Sequence, residues 1–176
     1  TVLDRLNTAI KYYLTSIDPD ELSDADKQRL EEILIFSTGL EHAGDVLDQN
    51  VLPHLAKRLR RGMKFSKPAK RELDDLFDRL ATNLRTAAAL FMSQDERMAR
   101  MLAEEKIIFR KSEREGTRAH FERLRQGDLA SAESSSLHLD LLRDLKLINS
   151  HLVAATAYPV LEQQGELLQS RISARG

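Results

Sequence analysis

Residues 135–162 read SSLHLDLLRDLKLINSHLVAATAYPVLE and carry a leucine or isoleucine at nearly every third or fourth position. Because an α-helix has about 3.6 residues per turn, this spacing aligns the apolar side chains along one face. The pattern predicts a long last helix over residues 134–170. Its predicted core stripe is Leu137, Leu141, Leu145, Ile148 and Leu152.

The chain upstream of this helix shows the same period, without the apolar–polar alternation of strands. Short polar breaks between long helices are typical of antiparallel neighbours, so we predict an all-α fold, an elongated antiparallel helical bundle. The other predicted helices cover residues 2–17, 24–61 with a kink at Pro53, 66–92 and 93–126. The apolar faces predicted for the first two helices are Leu3, Leu6, Ile10 and Leu14, and then Leu30, Ile33, Leu34, Leu40, Gly44, Leu47 and Val51.

Three serines are predicted to begin helices, because a serine hydroxyl can accept a hydrogen bond from a free amide of the first turn. Ser23 lies three residues before Asp26, and Ser93 lies three residues before Glu96. Each pair fits a capping box, in which the acidic side chain bonds back to the cap. Ser66 precedes a proline in the first turn, where the missing amide costs little.

The composition excludes several classes of protein. The 176 residues carry a net charge of -1, with 41% hydrophobic and 31% charged residues. There is no cysteine, which excludes disulfides and thiolate metal sites. No run approaches the ~20 apolar residues of a membrane span, and no secretory signal is visible. The chain opens within an amphipathic segment, so we expect it to be a fragment of a longer protein.

The segment Glu41-His42-Ala43-Gly44-Asp45 is the clearest candidate metal motif. Carboxylates four residues apart project from one helical face and can share a cation. Oxygen ligands suit Mg²⁺, Mn²⁺ or Fe, and Zn²⁺ is also considered. The alternative is that Glu41 and Asp45 are solvated residues beside the apolar stripe. Two carboxylates do not complete a coordination shell, so a neighbouring helix must contribute.

A second candidate is a basic segment at the turn between two predicted helices. From Lys57 to Arg71 there are eight basic residues and no acid. Such a cluster can contact acidic lipid, an acidic partner or a phosphate. The alternative is a solvated turn. Nucleic acid is not expected as a partner, because the cluster has only one aromatic residue for stacking. The predicted contact residues are Lys57, Arg58, Arg60, Arg61, Lys64 and Lys67.

The last helix also carries a polar set, of which Arg143, Asp144 and Asn149 are predicted to fix its register by pairing with neighbouring helices. His138 and His151 fit no spaced metal motif and are interpreted as ordinary helix histidines. Catalysis has no support, because no nucleophile elbow or glycine-rich phosphate loop is present. We therefore expect a protein that is not an enzyme.

Two segments of the chain resemble each other. FSTGLEHAGDVL (residues 36–47) aligns without gaps with LLRDLKLINSHL (residues 141–152), placing Leu40 on Leu145 and Leu47 on Leu152. A proline follows each segment. The alignment indicates a degenerate tandem repeat of about a hundred residues, with chance similarity between amphipathic helices as the alternative.

The Leu-Glu-x-x-Gly-Asp pattern ending at Asp45 resembles the metal motif of the PhoU family, which consists of tandem three-helix repeats. Residues 135–162 resemble the last helix of the PhoU-like domain at the C-terminal cytoplasmic end of bacterial sodium/phosphate cotransporters. The resemblance implies a truncated first half at 1–62, lacking its first helix, and a second half at 66–173. In the second half the motif positions hold Lys146 and Ser150, so that metal site is expected to be lost.

The same resemblance implies a function in phosphate transport. It predicts a non-catalytic regulatory domain of a sodium-dependent phosphate transporter, on the cytoplasmic face of the inner membrane. Its expected partners are the membrane part of the same transporter, acidic lipid and a second copy of the chain. The alternatives are a free-standing phosphate-signalling adaptor and a metal-binding helical bundle.

Overall fold

A computed structural model describes residues 2–127 and 129–166, without the side chains of residues 129–132. All regular structure in these residues is helical, which confirms the predicted all-α bundle. The helices are α1 (Val2–Thr15), α2 (Asp24–Val46), α3 (Leu52–Arg60), α4 (Lys67–Ser93), α5 (Glu96–Arg125) and α6 (Leu129–Gln163). A 3₁₀ turn spans Pro19–Glu21, and a π-helical turn spans Leu47–Val51.

The α6 helix lies at the centre of the bundle. All five residues of its predicted stripe are buried, and its other faces are largely buried as well. Such a helix contacts neighbours on several sides, and α6 packs on α2, α4 and α5. The helix begins at Leu129 rather than at residue 134, and it ends at Gln163 rather than at residue 170, because the chain turns at Gly165, which has a φ of 74°.

Contacts along α6 give the directions of its neighbours. The α2 helix is antiparallel to it, since Gly39 faces Ala155 while Asn50, in the following π-helical turn, bonds Asp144. The α5 helix is also antiparallel, because Glu113 meets Lys146 and Lys106 meets Tyr158. The α4 helix runs parallel to α6, because Glu72 meets His138 and Asn83 meets Asn149. The outer helix α1 packs antiparallel on α2.

The predicted kink at Pro53 is a single π-helical turn. The Leu52 amide donates to the Leu47 carbonyl, five residues back instead of four. The widened turn precedes a proline that has no amide to donate, and it keeps α2 and α3 in one continuous helical run.

Two of the three predicted helix starts are confirmed. Ser23 and Asp26 form the capping box of α2, and the Ser66 hydroxyl accepts from the Ala69 amide at the start of α4. The third prediction is wrong. Asp95, not Ser93, caps α5 by accepting from the Met98 amide. The chain turns between α4 and α5 at Gln94, which has a φ of 54°.

The predicted faces of α1 and α2 need correction. On α1, Leu3 and Leu6 are 38% and 54% exposed, and the buried residues are Asn7 and Leu14, which lie two turns apart on one face. On α2, Leu47 is exposed, and small residues contact α6 instead. Gly39 and Ala43 are buried there, so the two helices approach closely.

No helix among the described residues is both long and apolar enough to cross a bilayer.

Candidate functional site

Three carboxylates form an acidic triad, Asp4, Glu41 and Asp45, between α1 and α2. The two on α2 lie one turn apart, and the antiparallel α1 brings Asp4 beside them. One oxygen from each lies within 4.8 Å of the others, and all three residues are half-buried. Sequence analysis predicted Glu41 and Asp45 and missed Asp4. Only the packing of α1 on α2 reveals the third member.

Polar neighbours orient Glu41. The Asn7 amide nitrogen donates to Glu41 Oε2 at 3.4 Å, and the Ser37 hydroxyl donates to Asn7 Oδ1 at 3.1 Å. His42 Nε2 lies 3.5 Å from the same carboxylate. Gly44 admits the Leu3 side chain where a Cβ would otherwise stand, which lets α1 approach.

The donor set of the acidic triad fits a hard divalent cation. All three donors are carboxylate oxygens, which Mg²⁺ and Mn²⁺ prefer, whereas Zn²⁺ sites usually include imidazole or thiolate. A bound cation would offset the repulsion among the three negative charges and would tie α1 to α2.

The matching position of the second half holds an internal ion pair. Lys146 Nζ lies 2.6 Å from Glu113 Oε2 on α5. An ammonium donates hydrogen bonds and has no lone pair to offer a metal. Lys146 therefore links α6 to α5 through an ion pair.

The predicted basic segment forms the basic end of the bundle, which we define as Lys57, Arg58, Arg60, Arg61, Lys64 and Lys67. Lys57 and Arg58 are half-buried and the other four are exposed. The Arg58 guanidinium lies over the Phe65 ring, 5.0 Å from its centroid, and its Nε atom is buried without a hydrogen bond among the described residues. Arg61 pairs with Glu133 at 2.5 Å. Arg60 and Lys67 are exposed to solvent.

The polar residues of α6 differ in their surroundings. Asp144 is 8% exposed, accepts a hydrogen bond from Asn50 at 3.1 Å and lies 2.9 Å from His54 Nδ1. It therefore joins α6 to the π-helical turn and to α3. Arg143 is half-exposed and lies 3.8 Å from Glu113, a long contact that orients it weakly.

Asn149 is fully buried at the centre of the bundle. Its Oδ1 accepts from the Asn83 amide at 2.9 Å, while its own Nδ2 has no hydrogen-bond partner among the described residues. Asn83 also donates to Glu105 at 3.3 Å. This chain of hydrogen bonds connects α4, α5 and α6, and a one-turn slip between them would break it.

His42 on α2 and His151 on α6 face each other across a groove, with ring centroids 5.3 Å apart. Partial burial, and then the nearby His42, lower the pKa of His151 below its usual value. The groove is mainly apolar, and two alanines of α6 line it beside these rings.

The chain matches proteins named "Putative inorganic phosphate export protein YjbB". The protein from Salmonella typhimurium strain LT2 is 41% identical over 158 residues, which cover 90% of this chain and 29% of that protein. The proteins from Escherichia coli O157:H7 and strain K12 are each 40% identical over 161 residues, 92% of this chain and 30% of theirs.

The chain is a relative of proteins named for phosphate export. It spans about three tenths of the length of these phosphate-export relatives. No family model and no solved structure matches the chain. The names of these relatives agree with the phosphate-related resemblance described in the sequence analysis.

Proposed function

We propose that this chain is a PhoU-like regulatory domain of a sodium-dependent phosphate transporter, with no catalytic activity of its own. One observation carries the proposal: about nine tenths of the chain is similar to proteins named for phosphate export, yet no described helix is suited to cross a membrane. A phosphate path through the bilayer therefore belongs to another part of such a protein, and this chain modulates it.

The helix arrangement supports the PhoU-like assignment. The antiparallel pairs α1/α2 and α5/α6 each contain one of the two similar segments. In α1/α2 the acidic triad spans the pair, and in α5/α6 the Lys146–Glu113 ion pair spans it. Two such units sharing a core are what a degenerate tandem repeat would form.

The basic end supplies the contact with the membrane part of the transporter or with acidic lipid at the cytoplasmic face of the inner membrane. Lys64, Lys67 and their exposed neighbours lie at one end of the long helices. Each basic residue near an anionic leaflet contributes about 1 kcal/mol of attraction. The bundle would then transmit a change at this end along α4 and α6.

A transport assay tests the proposal. The full-length protein that contains this chain is produced in cells, and the movement of labelled phosphate is compared between the intact protein, a form lacking this chain and an Arg60→Glu/Arg61→Glu variant. We expect the truncated form to move phosphate with an altered dependence on phosphate or sodium. The charge reversal should alter regulation without abolishing transport. Unchanged transport in both would contradict the proposal.

The same assay distinguishes the adaptor alternative. If the chain acts as a free-standing signalling adaptor, supplying it as a separate polypeptide restores regulation fully. In a fused domain the tether holds the chain at a high effective concentration beside its target. A separate polypeptide lacks this tether, so it should restore regulation only weakly.

The acidic triad favours metal binding as a second candidate function. Three convergent carboxylate oxygens are a plausible half of a Mg²⁺ or Mn²⁺ shell, with water or a partner supplying the rest. In this proposal the cation has a structural role, because it would hold the outer helix α1 on α2.

A further inference from the structure

A cavity of about 270 Å³ opens at the same end of the bundle as the basic segment. Four parts of the chain meet there: the turn before α4, the first turn of α4, the last turns of α5 and the first turns of α6. At about 30 Å³ per water, it has room for about nine water molecules. The polar residues that line it are Lys64, Ser66, Arg123, Ser134, Ser135 and His138.

Two cations from different elements reach this cavity. Lys64 comes from the turn before α4, and Arg123 comes from the last turns of α5. Neither forms an ion pair with another described residue. Arg123 lies outside the basic segment of the sequence, so only the fold places its guanidinium beside Lys64. The positive end of the α4 helix dipole adds to this field, because Ser66 caps that helix.

The nearby carboxylates are otherwise engaged. Glu133 pairs with Arg61 on the outer surface. Glu72 Oε2 lies 3.0 Å from His138 Nε2, in a direction that makes no hydrogen bond. The cavity therefore keeps an excess of positive charge from Lys64 and Arg123.

Hydroxyl and imidazole groups complete the lining. His138 is only 7% exposed; it lines the cavity, and its Nε2 atom lies against the Glu72 carboxylate. Ser135 lies 2.8 Å from His120 Nδ1, and the Ser134 hydroxyl donates to the Lys64 carbonyl at 2.9 Å. The latter bond fixes the turn that carries Lys64. A cavity lined by two cations that form no ion pair with a described residue indicates a ligand rich in acceptor oxygens.

We propose that this cavity binds a phosphate group. A tetrahedral phosphate offers strong acceptor oxygens and about 1.5 to 2 negative charges near pH 7, which suit an ammonium, a guanidinium and the Ser66 hydroxyl, whose oxygen already accepts from the Ala69 amide. The group is either inorganic phosphate or the monoester head group of a lipid, since both present the same chemistry. That the cavity reports phosphate to a transporter rests on the proposed function, whereas the binding itself does not.

The test titrates sodium phosphate into the purified, isotopically labelled chain at constant ionic strength. We expect saturable shifts of the amide signals of residues 64–66, 123 and 134–138. A Lys64→Gln/Arg123→Gln variant should bind phosphate about tenfold or more weakly, because it removes two charge-assisted contacts. The matched control is Lys57→Gln/Arg60→Gln, which removes the same charge at the same end but outside the cavity, and should bind like the parent.

A second arm distinguishes the two sources. Vesicles of phosphatidylcholine with phosphatidic acid are offered to the same three proteins. If the lipid head group is the ligand, the cavity variant loses vesicle binding, the control keeps most of it, and free phosphate competes only weakly. If inorganic phosphate is the ligand, the cavity variant binds phosphate more weakly than the parent does, and its binding to vesicles is unchanged.

Two results overturn the proposal. One is that neither phosphate nor vesicles discriminate between the cavity variant and the parent. The other is that the control loses as much binding as the cavity variant, which would mean diffuse attraction by the whole end. If neither phosphate nor vesicles bind at the cavity although removal of the chain alters transport, the cavity proposal fails and the proposed function stands. If phosphate binds at the cavity but removal of the chain leaves transport unchanged, the cavity proposal stands and the proposed function fails.

Discussion

Gly39 on α2 faces Ala155 on α6 so closely that a Cβ added to Gly39 would overlap the Ala155 side chain, while the His151 carbonyl oxygen would lie 3.3 Å away. Both obstacles are short and attached to rigid helix backbone. The separation of α2 and α6 is therefore set at this point by the missing side chain, and the groove containing His42 and His151 lies directly beside it.

Replacing Gly39 by alanine is expected to destabilise the bundle. Alanine favours a helix over glycine by about 1 kcal/mol, but overpacking a rigid contact costs about 1 to 3 kcal/mol. We expect a net loss of about 1 kcal/mol in the free energy of unfolding, measured by chemical denaturation. Gly44→Ala is the control, since its new Cβ would meet only the flexible tip of Leu3. Equal effects at both positions would refute this account.

Leu145 and Leu147 are neighbours on α6 with opposite environments. Leu145 is 0% exposed and Leu147 is 41% exposed. Leu145→Ala is expected to cost about 2 to 5 kcal/mol, and Leu147→Ala about 1 kcal/mol or less. Leu145→Asp should unfold the bundle, because it buries an unpaired charge. Thermal melts followed by circular dichroism check both, and a Leu145→Asp variant that melts like the parent would show that the assigned core face is wrong.

Asp144 is expected to stabilise the junction of α6 with α3. Asp144→Ala leaves the half-buried Asn50 amide without its acceptor, which should lower the free energy of unfolding by about 1 to 3 kcal/mol. Asp140→Ala is the control. Its only ion pair within the described part of the chain is a 3.9 Å contact with Arg143, and such partly exposed pairs are worth about 1 kcal/mol or less. Denaturant titration measures the free energy of unfolding of both variants. An equal loss in both would mean that removing a negative charge, rather than the hydrogen bond of Asp144, causes the effect.

Stability should fall as the pH drops through the titration range of His151. Burial and then His42 lower its pKa in the folded state, while the unfolded chain keeps the usual value of 6.5. Below about pH 6.5 the unfolded state therefore binds more protons, so acid favours unfolding. His151→Gln should flatten this dependence, and His42→Gln should raise the pKa of His151 in a proton NMR titration. A folded pKa at or above 6.5 would contradict the prediction.

Mn²⁺ binding should depend on Asp4 as well as on the two carboxylates of α2. Asp4→Asn keeps the shape of the side chain but removes a charged ligand. We expect binding to weaken at least as much as the 10- to 100-fold (about 1.4 to 2.8 kcal/mol) typical of changes around a metal site. Asp78→Asn, an exposed acid on α4, is the control for net charge. Paramagnetic broadening of nearby amide signals measures both, and identical broadening in the two variants would exclude the acidic triad as the site.

The sequence was most informative where a local rule determines the structure. The apolar period of α6 predicted five of its core residues, and Ser23 and Ser66 were recognised as caps because capping depends only on the next few residues. Ser93 failed because Asp95, two residues later, offers a carboxylate that caps α5 while Gln94 turns the chain. Two capping candidates that close together cannot be ranked by spacing alone.

Only some residues of each candidate site could be predicted from the sequence. Glu41 and Asp45 share one helix, so their spacing predicted that they would lie together. Asp4 and Arg123 are far from the motifs they complete, and no local pattern marks either one. They reach their positions through the antiparallel packing of α1 on α2 and through the end of α5 meeting the start of α6.

The helical period by itself determined that this chain forms long rods with apolar edges, since backbone hydrogen bonding and side-chain spacing are local. Tertiary structure alone decided which edges are covered. Leu6 and Leu47 remain exposed while Asn7 and Asn149 are buried, because burial depends on where two rods cross and how closely small residues such as Gly39 let them approach. The same crossings bring distant charges together into the acidic triad and the cationic cavity.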